Sequence, residues 1–256
     1  MDLDSEKSTA AQFHDEHQDS ASVRLKTDNK GDYLHMKDPV VLATLIAFCS
    51  GDGHRIFLRG CRRDFPKCLP SIFRDKDESC SDPEKRWSAY KCILKKLRTQ
   101  FDGTRWDEED LGAVLQHYGI KTPWLDVVQN IHTAVWFATH KLDARNSSHR
   151  VVKPTTNEHG WIYLYVDRRA GRKLNVVDLR AAHSSQHTRP HVQQGLSLAM
   201  QGDPNDDGEF RLTADQDFIT YQVARVRFPA QSRAGSCEVT CSHRSFCFHH
   251  PSTTTP

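Results

Sequence analysis

Arg59 stands where a short apolar segment, Arg55 to Leu58, gives way to Gly60. A guanidinium group offers a planar fork of donors that suits a phosphate or a carboxylate. A neighbouring glycine lets a ligand approach the backbone closely. Arg59 therefore predicts an anion-binding position. A structural ion pair with an acid such as Asp126 explains the residue equally well.

His117 stands at the end of a predicted helix, next to Tyr118 and a proline-containing turn. Its imidazole can donate a hydrogen bond or act as a general base near neutral pH. At a helix C-terminus the same ring can bond terminal carbonyls instead. We expect Tyr118 to lie in the core with its hydroxyl at a cleft. Asp126 follows the turn and is predicted chiefly to cap the next helix, with orientation of His117 or Arg59 as the alternative.

Arg189 and Gln193 form a third group of candidate residues. A glutamine side chain carries both a donor and an acceptor, which suits a ribose hydroxyl or the edge of a nucleobase. The alternative is that the glutamine satisfies backbone groups at the end of a strand.

Cysteine and histidine are concentrated near the C-terminus and raise the question of a zinc site. The candidate ligands are Cys237, Cys241, His243 and Cys247. Zinc modules usually pair closely spaced cysteines across a longer loop, and they need some apolar residues to pack. Neither feature is present here. We therefore predict no metal and read residues 229–256 as an unstructured tail.

The elements that must position these side chains follow from the hydrophobic periodicity. Pro39 and Pro83 each predict the first residue of a helix, and Gly119 predicts the end of another. The continuous apolar run at 161–166 predicts a strand buried on both faces. Helices mostly precede strands in this order of elements. The sequence therefore predicts an α+β fold, in which N-terminal helices pack on a small mixed or antiparallel sheet.

Composition limits the classes of function. The chain has 256 residues, of which 35 are basic and 33 acidic, giving a net charge of +2. This balance argues against a nucleic-acid coat, and no apolar run is long enough to span a membrane. We expect a cytoplasmic protein whose eight cysteines are reduced thiols or ligands. Residues 1–37 are polar and predict a disordered arm, so the domain is expected at 38–228.

Three separated segments carry a specific pattern. Residues 57–60 read Phe-Leu-Arg-Gly, and residues 69–74 read Leu-Pro-Ser-Ile-Phe-Arg. Residues 115–126 read Leu-Gln-His-Tyr-Gly-Ile-Lys-Thr-Pro-Trp-Leu-Asp and lead to Ala-Val-Trp-Phe-Ala at 134–138. Residues 189–196 follow an Arg-x-x-x-Gln-x-Gly pattern. Together, in this order, the segments resemble the FRG domain family. The chain departs from it at Cys61, where the family usually has glutamine.

The resemblance implies a fold and a ligand class. FRG domains look remotely like the ADP-ribosyltransferase superfamily, which implies a related fold and NAD as a substrate. Arg59 would then contact NAD, and Gln193 would hold the nicotinamide ribose. Because a glutamine cannot act as a base, any transfer would depend on positioning and electrostatics, or on another acid such as Glu209.

The expected partner is accordingly a small nucleotide rather than a nucleic acid or a membrane. No residue is assigned as catalytic, and whether the chain is an enzyme stays open. The candidate ligand-binding residues are Arg59, Gly60, His117, Tyr118, Asp126, Arg189 and Gln193. The alternative function is a non-catalytic interaction module in a defence or toxin-related pathway, whose motif residues only hold the fold together.

Overall fold

The computed structural model of the chain describes residues 9–17, 22–51, 53–65, 69–74, 83–100, 107–117, 119–143, 150–152, 159–167, 174–182, 188–200 and 221–229. The helices are α1 (Thr9–Glu16), α2 (Pro39–Cys49), α3 (Pro83–Gln100), α4 (Glu108–His117), α5 (Ile131–Thr139), α6 (Leu179–Ala182) and α7 (Thr188–Gln193). The strands are β1 (Val23–Asp28), β2 (Gly31–Met36), β3 (Arg55–Cys61), β4 (Leu125–Val128), β5 (Lys141–Asp143), β6 (Arg150–Val152), β7 (His159–Asp167), β8 (Leu174–Asp178), β9 (Gly195–Met200) and β10 (Gln222–Pro229).

Eight of these strands form one mixed sheet in the order β1-β2-β10-β7-β3-β4-β9-β8. The pair β2 and β10 is parallel, and the other neighbours run antiparallel. Strands β5 and β6 form a separate hairpin. The α+β class is therefore confirmed. The sheet is larger than the small one predicted, and three of its strands precede most of the helices.

The prediction of a disordered arm over residues 1–37 is wrong for the part that the structure describes. Helix α1 and the β1–β2 hairpin lie there, and Phe13, Leu34 and Met36 are completely buried. The hairpin reads as polar because it buries one face, so that apolar residues are needed only at alternate positions. Such a pattern over six residues is easily taken for an unstructured segment.

Helices α1, α2 and α5 pack on one face of the sheet. Leu42 and Leu45 of α2 and Ala134 and Ala138 of α5 join a core cluster with residues of β2, β3, β7 and β10. The predicted start of α2 is confirmed, because Asp38 caps it by accepting a hydrogen bond from the amide of Val40. This helical face therefore has an apolar core to which α1, α2 and α5 contribute.

The opposite face of the sheet carries the large aromatic side chains, and we call it the aromatic face. It includes Tyr33, Phe57, Trp161, Tyr163 and Tyr165, all of them buried. Strand β7 contributes to both faces and is buried along its length, as its continuous apolar run predicts. Within the described residues, no helix is long and apolar enough to cross a membrane.

Candidate functional site

Two segments of the predicted motifs dock directly on each other. Ser71 begins a single 3-10 turn, and the turn lies against the loop that contains Thr122. The Ile72 amide donates to the carbonyl of Thr122 at 3.2 Å, and the Thr122 amide donates to the hydroxyl of Ser71 at 3.1 Å. The two loops are therefore held together by one hydrogen bond between backbone groups and one from backbone to side chain.

Gln116, near the end of α4, links this pair to the sheet. Its amide oxygen accepts hydrogen bonds from the hydroxyls of Ser71 (2.9 Å) and Thr122 (2.8 Å). Its amide nitrogen donates to Oδ2 of Asp126 at 3.2 Å. One side chain thus joins the motif segments 69–74 and 115–126 to strand β4, and the uncharged amide is suited to this because it both donates and accepts.

Asp126 is the second residue of β4, so the prediction that it caps the following helix is wrong. Asn130 caps α5 instead, accepting hydrogen bonds from the amides of His132 and Thr133. The prediction failed because β4 has only four residues and lies between the turn and the helix. This short strand moves the cap four positions along the chain.

Arg59 and Asp126 do come together, as the structural alternative expected, but through a different atom. The guanidinium of Arg59 donates to the backbone carbonyl of Asp126. In the described part of the chain, β3 and β4 pair only at Leu58 and Val128. Arg59 therefore lies where the two strands separate, and its side chain satisfies a carbonyl that a continuing ladder would have bonded.

Two oxygen atoms at this opening have no hydrogen-bond partner within the described residues. They are Oδ1 of Asp126 and the hydroxyl oxygen of Ser197. Both atoms are buried, and the two residues lie directly opposite each other on β4 and β9. Because buried polar atoms are nearly always bonded, this pair indicates a place for a water molecule or a ligand group.

The side of Gly60 on which a Cβ atom would lie is occupied by helix α5. A Cβ atom at this position would lie 1.9 Å from the carbonyl oxygen of Ala134 in α5. The glycine is needed because α5 crosses β3 at close range. Ala134 and Ala138 of the Ala-Val-Trp-Phe-Ala segment provide the α5 side of this contact. The Phe-Leu-Arg-Gly and Ala-Val-Trp-Phe-Ala segments therefore pack directly on each other.

The family comparison matches this part of the chain. The FRG domain model matches residues 54–147. The chain contains an FRG domain. No curated protein and no solved structure gives a significant match. The match to the FRG domain includes Arg59, Gln116 and Asp126, but it ends before β9, so Ser197 lies outside it.

Two other predicted residues, His117 and Gln193, lie at the ends of helices. His117 is half-buried at the end of α4. Gln193 ends α7, two residues before Gly195, which pairs with Val128 at the far end of β4. No hydrogen bond among the described residues joins Gln193 to Arg59 or Asp126. Among the described side chains, Gln193 is therefore not hydrogen-bonded to Arg59 or Asp126, and the side chain of Arg189 lies outside the described residues.

Several predicted residues cannot be placed. Tyr118, the side chain of Arg189 and the four candidate zinc ligands Cys237, Cys241, His243 and Cys247 lie outside the described residues. Within the described ranges, no group of three or more histidine, cysteine or acidic side chains could hold a metal ion. The question of a metal in the tail is therefore not answered by the structure.

Arg225, outside the FRG match, is the centre of a buried ionic cluster that sequence reasoning missed. It donates to Asp28 at 2.6 Å and to Asp64 at 3.1 Å, and only 4% of its side chain is exposed. Its guanidinium lies 5.3 Å from the ring centres of both Tyr33 and Trp161. The available signal was the pair Arg225 and Arg227 inside the otherwise apolar run at 223–228, since a buried arginine needs acidic partners.

The cluster affects Asp28 in two opposite ways. Burial acts to raise the pKa of its carboxyl, whereas the hydrogen bond from Arg225 and the amide of Lys30 lower it. The net effect is a pKa below the ordinary value. The cluster thus connects β10, the β1–β2 hairpin and the segment after β3 by charge-assisted bonds.

Proposed function

We propose that the FRG domain binds a nucleotide-type ligand, with NAD as the first candidate, where β3 and β4 separate. The observation that carries the proposal is the pair of buried oxygens on Asp126 and Ser197 that have no partner within the described residues, together with the guanidinium of Arg59 bonded to the carbonyl of Asp126. A carboxylate oxygen and a hydroxyl suit the hydroxyl groups of a ribose. A guanidinium suits a phosphate or the oxygen of a carboxamide.

The FRG resemblance supports NAD as the candidate, because it assigns Arg59 to contact with that molecule. Binding is the core of the proposal. ADP-ribosyl transfer would be a further step, in which the bond between nicotinamide and ribose breaks, nicotinamide leaves with the electron pair, and an acceptor nucleophile bonds to the ribose carbon. Arg59 and Asp126 would contribute by orienting the ligand.

Calorimetric titration with NAD tests this proposal. Wild type is expected to give a saturable heat, and Ser197→Ala is expected to weaken binding by about tenfold, as loss of one good hydrogen bond implies. Because the Ser197 hydroxyl has no partner among the described residues, its removal should leave the melting temperature nearly unchanged. Arg98→Ala, which changes an exposed arginine on α3, is the control and should bind like wild type.

The absence of saturable heat for wild type would contradict the proposal, as would unchanged affinity in Ser197→Ala. If binding is found, incubation with biotinylated NAD shows whether label is transferred to protein or nucleic acid.

A second function, a non-catalytic interaction module, is favoured by the bonds of Gln116. The side-chain amide of this motif residue joins Ser71, Thr122 and Asp126, which is a structural role. On this hypothesis Arg59→Ala and Gln193→Ala should lower the melting temperature by several degrees, while NAD produces no saturable heat with any variant. Comparing melting temperature with binding for these variants separates the two functions.

A further inference from the structure

Six basic side chains lie together at one end of the sheet, and we call them the basic patch. They are Arg24, Lys26, His35, Lys37, His159 and Arg227. They come from β1, β2, β10 and β7 and from the residue that follows β2. Arg59 is on β3, beyond β7, so the basic patch is separate from the opening described above.

The strand register places three of these residues in one row. His35 on β2 lies opposite Arg24 on β1 and opposite Arg227 on β10. Paired residues on adjacent strands point to the same face, and strands are about 4.8 Å apart. The backbones of Arg24 and Arg227 are therefore roughly 10 Å apart on either side of His35. Two long guanidinium side chains at that separation can reach one small anion between them.

His35 lies between these two arginines, on the middle one of the three strands. Its ring stacks on that of His159, with the ring centres 5.5 Å apart and an angle of 25° between the planes. Its Nδ1 atom is buried and has no hydrogen-bond partner within the described residues. An imidazole nitrogen without a partner, next to two arginines, is a donor available to an anion when the ring is protonated.

The charges of the basic patch are not compensated in the part of the chain that the structure describes. There, no ion pair or side-chain hydrogen bond involves Arg24, Lys26, Lys37 or Arg227. Asp28 and Asp64 are used by Arg225 on the neighbouring row. The basic patch therefore carries an excess of positive charge that its own acids do not balance.

The pKa of His35 is lowered by burial and by the positive charges around it. Burial lowers the pKa of its imidazole most, and His159, Lys26, Arg227 and Lys37 lower it further, to about 4. Arg24 faces the same ring from β1. A bound anion would replace this repulsion by attraction and would favour the protonated ring.

We propose that the basic patch is a binding site for a phosphoryl group, carried by inorganic phosphate or by a small phosphate monoester. Arg24 and Arg227 would donate to its oxygens from either side, and His35 would donate from the strand between them. A nucleic-acid strand fits less well, because the neighbouring Tyr33 and Trp161 rings are buried against Arg225 and offer no stacking surface. The proposal does not depend on NAD binding at β3 and β4.

The test is a titration followed by NMR of the histidine ring protons, with inorganic phosphate and with glycerol 2-phosphate as probes. The ionic strength is kept constant with potassium chloride. We expect saturable shifts of the His35 and His159 signals. The pKa of His35 should rise by about one unit or more when phosphate is bound, because an opposite charge favours the ionised ring. Tighter binding of glycerol 2-phosphate than of phosphate would identify a monoester as the ligand.

Arg227→Gln is expected to weaken phosphate binding by about tenfold, as the loss of one charge-assisted hydrogen bond implies. Lys26→Gln, on the exposed side of β1, is a second variant that should fold normally and also weaken binding. Arg98→Gln on α3 is the matched control and should not change it.

Equal shifts with chloride alone would overturn the proposal, since they would show only screening of the patch. Unchanged affinity in both Arg227→Gln and Lys26→Gln would also overturn it. So would saturable binding of a short RNA oligonucleotide without saturable binding of phosphate.

Discussion

The hydrogen bonds of Gln116 require a side chain that both accepts and donates. Its oxygen accepts from two hydroxyls, and its nitrogen donates to a carboxylate. A glutamate has nearly the same shape but no donor for Asp126. It would also place a second carboxylate beside the first, and like charges at such a distance repel.

We therefore predict that Gln116→Glu lowers the free energy of unfolding by about 2 kcal/mol at pH 7, through a lost hydrogen bond and a repulsive contact. Urea denaturation followed by circular dichroism measures the change. Gln100→Glu, at the exposed end of α3, is the control and should be nearly neutral. Equal stability of Gln116→Glu and wild type would show that Gln116 does not hold the motif segments together.

His35 predicts a dependence of stability on pH. Its pKa is lowered from 6.5 to about 4 in the folded chain, first by burial and then by the surrounding positive groups. The unfolded chain therefore binds a proton more readily than the folded one within this range. Stability from this group is complete above pH 6.5 and is lost as the pH falls towards 4.

In phosphate-free chloride buffer, the melting temperature of wild type should decrease between pH 6.5 and about 4. His35→Gln should show a smaller decrease over the same interval, because it removes the titrating group. Melting curves at half-unit steps of pH measure both. Parallel profiles for the two proteins would rule out His35 as the source.

At the scale of the elements, close packing of α5 on the sheet explains the glycine of the Phe-Leu-Arg-Gly segment. Gly60 on β3 and Gly160 on β7 both face the backbone of α5, where added Cβ atoms would lie 1.9 Å and 2.3 Å from carbonyl oxygens of Ala134 and Ala138. The helix can approach this closely because the sheet has no side chains at those two points. Ala134 and Ala138 are themselves small and fully or almost fully buried.

Gly60→Ala should therefore lower the free energy of unfolding by about 3 kcal/mol, at the upper end of what overpacking usually causes, because backbone rather than a side chain must move. Chemical denaturation measures the loss. Gly51→Ala is a suitable control, since its Cβ would meet only an ordinary contact at 3.4 Å. A loss no larger than in the control would mean that α5 is free to shift away from β3.

Elements with complete local signals could be predicted from the sequence, and those without them could not. Helix α2 has a capping aspartate, a proline at its first position and continuous apolar residues, so its start was predicted to the residue. Strand β4 has four residues and no turn of its own, and it was taken for the approach to a helix cap. The role of Gly60 depends on which helix crosses β3, and that contact is not encoded locally.

The candidate site was predicted in the same partial way. The sequence identified Arg59 and Asp126 as possible partners, but an alternation of strand residues does not show where two strands separate. The carbonyl bond of Arg59 was therefore not foreseen. Ser197 is not among the candidate residues that the sequence indicated. Its position opposite Asp126 depends on the register of β4 and β9, which tertiary packing decides.

At the scale of the whole molecule, the β1–β2 hairpin belongs to the main sheet and closes one side of its core. Strand β2 pairs with β10, and Leu34 and Met36 are completely buried under α1 and α2. Loss of the hairpin would expose this apolar surface together with the edge of β10. Exposed strand edges of this kind promote aggregation.

Deletion of residues 1–37 should therefore abolish cooperative unfolding or lower the melting temperature by more than 10 °C, roughly what a loss of a few kcal/mol causes in a domain of this size. Calorimetry and binding of a hydrophobic dye measure the effect. Deletion of residues 1–8 alone, which keeps α1 and both strands, is the control. If the variant that lacks residues 1–37 is as stable as wild type, this region is a dispensable arm.

The position of β10 between β2 and β7 has a consequence for synthesis on the ribosome. The hairpin leaves the ribosome early, but its partner strand follows only after most of the remaining chain has been made. At typical elongation rates this interval is on the order of ten seconds or more. During that time the inner edge of β2 has no neighbour. The nascent chain should therefore be a substrate for chaperones at the ribosome until β10 emerges, and slow codons between β2 and β10 should reduce the yield of soluble protein.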